Sequence, residues 1–173
     1  MPAQKELAKL KPRRAAAYLN TELDRGTLSA LLREVHTTHF FVWSTNAGGV
    51  LTSVKIPVTD IAQQVGMAGR ILESNLDEAI KMLESASKQF DSASYRWESQ
   101  ARQSEAKLRA STAARKLNEA TAKHNTIRTR IVPVQSLFRR AAHSLNDVKL
   151  RRQQQAADAL TTDPAAEDEA GEV

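Results

Sequence analysis

The chain has 173 residues, a net charge of +5 and no cysteine, which excludes a disulfide framework, thiolate metal sites and cysteine nucleophiles. Only 5% of it is aromatic, and the 41% counted as hydrophobic leans on alanine, which favours helix but buries little area per residue. That composition describes a helix-rich protein with modest apolar material for a core.

The charge is segregated along the chain. Residues 1–20 carry a net +4, 21–100 a net −3, 101–152 a net +10 and 153–173 a net −6. A basic helical segment followed directly by an acidic tail points to an anionic partner, or to a tail that shields the basic surface. The basic N-terminal arm, residues 1–14, lacks the apolar run of a signal peptide, and no window of about 18 apolar residues exists for a membrane span. The expectation is a soluble protein of the cytoplasm or another reducing intracellular compartment.

Residues 15–58 read as short helices followed by a β-hairpin. Ala16, Leu19, Leu23, Leu28, Leu31, Leu32 and Val35 recur close to helical spacing, with Gly26 dividing the stretch and Thr27 placed to cap its second part. The passage HFFVWSTNAGGVLTSVKIPV, His39 to Val58, is instead β-branched and aromatic, and Asn46, Gly48 and Gly49 can supply the positive φ of a hairpin turn. A two-stranded ribbon is marginal in water, so this one must be covered. Side chains alternate across a strand, so Phe40, Phe41 and Trp43 put large apolar groups on both faces. This predicts contact with a second chain, with Trp43 as the anchor. The competing reading has the chain's own helices covering both faces.

Pro57 ends the second strand, and Thr59 or Asp60 is placed to cap a helix, Asp60 with Gln63 as a capping box. Residues 59–160 read as a long helical coiled-coil region. Leu76, Ile80, Leu83, Ser87, Phe90, Ser94, Trp97, Ala101 and Ser104 alternate steps of four and three, the spacing of a heptad seam. A second register runs through Ala106, Ala110, Ala113, Leu117, Ala120, His124, Ile127, Ile131, Val134, Phe138, Ala141, Leu145 and Val148. The two are out of phase by two residues near 104–106, which calls for a bend or a change of partner there. An unbroken helix from Asp60 to Lys123 would be ~95 Å long, so the region is either a rod or contains a turn that no Gly or Pro marks. Pro133 should kink or break the second register, and a third strand near 126–132 is the alternative for the β-branched residues before it. Residues 161–173 lack a core-forming pattern and read as a disordered acidic tail.

The fold class is therefore mainly α, a long-helix coiled-coil or helical-bundle protein with one small hairpin near residues 39–58. No phosphate-binding loop appears, since NAGG joins two strands and lacks the following Lys and Ser or Thr. His36 and His39, with Glu34, make too small a set for a metal site. Glu84 with Lys88 and Glu98 with Arg102 have the spacing of solvated helix pairs. No catalytic, cofactor or metal residue is assigned.

The candidate protein interface comprises Phe40, Phe41, Trp43, Leu76, Ile80, Leu83, Phe90 and Trp97. The candidate polyanion contacts are Arg115, Lys116, Lys123, Arg128, Arg130, Arg139, Arg140, Arg151 and Arg152. With Phe138 the one aromatic between 101 and 152, such contacts would touch phosphates without reading bases. The functional expectation is a non-enzymatic structural or adaptor subunit of a larger homo- or hetero-oligomeric assembly. The alternative is a nucleic-acid-associated packaging or architectural protein. A membrane surface ranks below both as a partner, and no small-molecule substrate is evident.

Overall fold

The computed structural model describes residues 25–45, 47–48, 50–56, 58–111 and 114–161. The basic arm, the helix expected ahead of Gly26 and the acidic residues from 162 onward lie outside the described residues. The elements in chain order are α1 (Arg25–Thr37), β1 (Phe40–Thr45), β2 (Leu51–Ile56), α2 (Thr59–Ile71), α3 (Leu76–Ala110) and α4 (Ala114–Thr161). The described chain is mostly helical with one antiparallel two-stranded sheet, the expected class.

The long helices form an antiparallel pair. Facing partners fall in number along one helix as they rise along the other: Asp77 meets Lys149, Asp91 meets Gln135, and Glu105 meets His124. This settles the phase slip in the heptads. The two registers belong to different helices, and each seam buries itself against the other. Ile80, Leu83, Phe90, Trp97 and Ala101 of α3 are buried, as are Ala120, Ile127, Val134, Phe138, Ala141, Leu145 and Val148 of α4. The reversal lies a few residues later than the slip, after Ala110. The α3 seam runs on to a buried Leu108, while Ala106, assigned to the second register, is exposed.

A second break, at residues 72–75, separates α2 from α3. Asn75 caps α3, its side-chain oxygen accepting a hydrogen bond from the Glu78 amide at 3.1 Å, and Asp77 and Glu78 complement the positive end of the helix dipole. At α2 the expected cap is not formed. The helix begins at Thr59 with Val58 in the cap position and no side-chain hydrogen bond, so neither Thr59 nor Asp60 acts as a cap. Thr27 likewise sits inside α1, which starts at Arg25.

The helix of α4 continues through Pro133, and residues 126–132 are helical, so the third strand does not form. The reason lies in the seam. Ile127, Val134 and Phe138 are held against α3, and that burial favours helix across a residue which by itself would end one.

Phe40 stands opposite Ile56 and Thr45 opposite Leu51 in the ribbon. Phe40, Val42 and Ile56 are buried. The Phe40 ring lies 5.6 Å from both Phe90 and Trp97, and Phe90 lies 5.7 Å from Phe138, so an aromatic column ties the ribbon to both long helices. Beside it α1 and α2 close the core with Leu28, Leu31, Val35, Ile61, Val65 and Leu72.

Candidate functional site

A polar cluster lies where the ribbon meets the helical pair. The carbonyls of Phe41 and Trp43 point away from β2. They accept hydrogen bonds from α3 side chains: Trp97 Nε1 donates to Phe41 at 2.8 Å and Ser104 Oγ to Trp43 at 2.7 Å. Trp97 and Ser104 are seven residues apart, two helical turns, so one row of α3 serves the outer edge of β1. Without these donors an edge strand pressed against a helix would leave its carbonyls unsatisfied.

Trp97 is also the floor for a buried histidine. The His124 ring meets it edge-on at 5.8 Å and lies 6.1 Å from Phe41. His124 is fully buried, and its Nδ1 is 2.7 Å from Glu105 Oε1. An ionised carboxylate only accepts, so Nδ1 carries the proton and donates. Arg128 places Nη1 3.4 Å from the same carboxylate oxygen and its guanidinium 5.7 Å from the Trp97 ring. The Nε2 of His124 is buried without a hydrogen-bond partner among the described residues. Lys123 covers the cluster from α4, with Nζ 5.9 Å from the Phe41 ring centre and 5.4 Å from that of Trp43. As arranged, these groups pin three elements together: a charge-assisted hydrogen bond joins α3 to α4, and cation and ring contacts join α4 to β1.

Of the sequence-derived interface residues, Phe40, Ile80, Leu83, Phe90 and Trp97 are buried inside the chain's own core, and their burial is complete without a second chain. Leu76 and Phe41 are partly buried against the same core. Trp43 is half-buried under Lys123, its indole Nε1 covered and without a hydrogen-bond partner among the described residues.

The cationic candidates do not form one face. Measured at 100° per residue from the neighbouring seam position, Lys116, Lys123, Arg130 and Arg151 fall along one flank of α4, Arg128 and Arg139 along the other, and Arg115 and Arg140 on the outer side. Several are engaged within the chain: Arg115 with Glu119 at 3.3 Å, Arg128 with Glu105, and Arg130 donating to the Thr37 carbonyl at 3.2 Å. Arg152 falls in line with the seam beyond Val148.

Sequence reasoning left Glu105 and the pairing role of His124 unassigned. The available signal was a histidine at an apolar seam position, which needs a partner from the facing helix; the partner's identity required the pairing register. No group of three or more His, Asp and Glu among the described residues is arranged to hold a metal, and no described helix is long and apolar enough to cross a membrane. Comparison of the chain with protein-family models, with curated proteins and with solved structures finds no match.

Proposed function

We propose that this chain is a non-enzymatic structural or adaptor subunit of a larger protein assembly. The observation that carries the reading is the length of α4. Its 48 residues against the 35 of α3 continue past the last tie between them, Asp77 with Lys149, and residues 153–161 are all exposed, with Leu160 at 82%. About ten residues of helix, ~15 Å, thus extend beyond the buried core of the described residues. An exposed helix end gains little beyond its own backbone hydrogen bonds and frays, and a partner alongside it would supply packing.

The second reading, polyanion binding through the 101–152 segment, is favoured by exposed Lys116, Lys123 and Arg130 at seven-residue spacing on one flank. The native mass of the endogenous protein, measured by gel filtration of a gentle lysate with and without nuclease, separates the two. The adaptor reading expects a mass above the monomer that nuclease leaves unchanged. Elution as a monomer refutes it, and collapse to a monomer on nuclease treatment favours nucleic acid.

A further inference from the structure

The two edges of the ribbon are treated differently. The outer edge of β1 is closed by Trp97 and Ser104 of α3, whereas among the described residues β2 pairs with β1 alone in the two-stranded sheet. In an antiparallel pair the N–H and C=O of one residue point to the same side. Since the Phe41 and Trp43 carbonyls face α3, their opposite numbers Lys55 and Ser53 direct their backbone groups outward from β2.

Beside that edge lies a groove of about 840 Å³, bounded by Val54, Lys55 and Ile56 on β2, by Asp60 at the start of α2, and by Lys88 and Arg96 on α3. The ribbon runs alongside α3: Phe40 sits by Phe90, Phe41 by Trp97 and Trp43 by Ser104. A third strand, ~4.8 Å beyond β2, would therefore lie along the α3 flank that lines the groove.

We propose that the open edge of β2 is a docking site for an extended acidic segment of a partner protein, which adds to the sheet as a third strand over α3. The charge selects this occupant. Lys55, Lys88 and Arg96 surround the groove with Asp60 as its one acid, and none of the three cations is in an ion pair with a described residue. Lys88 and Arg96 are eight residues apart on α3, ~12 Å along its axis. On a strand, residues i and i+4 share a face and are ~13 Å apart, so two acids four positions apart match the two cations. Backbone pairing supplies affinity and this spacing supplies selection. A second copy is disfavoured because edge-to-edge pairing would bring two sets of the same cations together. Apart from its first residue, Thr162, and its last, Val173, the chain's own acidic stretch TDPAAEDEAGEV is built from Asp, Pro, Ala, Glu and Gly, types depleted from strands.

This inference rests on the adaptor reading and names the partner's chemistry, but its test is independent of native mass because it uses the purified full chain. The probe is a fluorescein-labelled peptide of alternating Val and Thr with two Glu four positions apart, read by fluorescence polarisation. The control peptide has the same charge and a central Pro. The proposal expects the probe to bind and the control not to, and amide exchange to slow at Ser53 and Lys55 on binding. Ser53→Pro removes an outward donor at an edge position where Pro is tolerated, and should weaken binding by about tenfold or more; K88E with R96E should do the same. If Ser53→Pro does not fold, as judged by its melting, the charge variants and the exchange pattern decide. No binding, equal binding of the control, or indifference to these variants overturns the proposal. So do two other outcomes: self-association of the parent chain abolished by Ser53→Pro, which assigns the edge to a second copy, and probe binding seen only after residues 162–173 are removed, which assigns it to the chain's own tail.

Discussion

Trp97 Nε1 donates to the carbonyl of Phe41 at 2.8 Å, joining two residues 56 positions apart and closing an edge of the ribbon with a helix side chain. The other indole of the chain, on Trp43, is covered but has no acceptor among the described residues. The same substitution therefore has opposite expected effects at the two sites. Trp97→Phe strands a partly buried carbonyl and loses packing, at a cost of about 1–3 kcal/mol, while Trp43→Phe removes a donor with no acceptor among the described residues and is neutral or mildly stabilising. Chemical denaturation of both variants checks this, and equal destabilisation would contradict the assigned hydrogen bonds. Trp43→Ala separately tests the anchor proposed from the sequence: lost assembly with intact helix supports an interface, and an unfolded monomer refutes it.

Leu83 is buried between the chain's own helices. Leu83→Asp would place an unpaired charge there and cost about 3 kcal/mol or more, so the monomer itself should lose helical signal and cooperative melting. Wild-type melting of that variant would show that the long helices do not pack through this seam.

The Glu105 and His124 pair gives a double-mutant test. Glu105→Ala leaves a buried imidazole N–H without an acceptor and should cost about 1–3 kcal/mol, whereas His124→Leu removes the group that needs the acceptor. The double variant should cost less than the sum of the singles, with a coupling of about 0.5–3 kcal/mol. Additive effects would mean that the contact contributes nothing.

Asp77 is tied to Lys149 at 2.7 Å. The hydrogen bond from Lys149, and then its charge, hold the Asp77 carboxyl below its ordinary value of 3.8. A depressed folded-state value means that the pair adds stability above the unfolded-state pKa and loses it as pH falls through the lower folded-state pKa. The stability gap between the parent and Asp77→Asn should thus be constant from pH 7 to about 5 and close on further acidification. Urea titrations across that range measure it, and a gap that widens toward low pH contradicts the sign.

Helices, ribbon and both seams were legible in the sequence because they follow local rules: heptad spacing, β-branched alternation and a Gly-bearing turn. Residues 72–75 were legible too, in retrospect, since Asn75 followed by Asp77 and Glu78 is a cap with an acidic first turn. The reversal after Ala110 carries no Gly or Pro, and only the phase slip hinted at it. Tertiary structure alone decided that the two seams face each other, that Pro133 stays in a helix and that Glu105 meets His124. Those outcomes depend on which distant surfaces bury one another. Burial of Val134 and Phe138 against α3 outweighs a local preference against proline, and a pairing register fixes contacts that no spacing within one helix can specify.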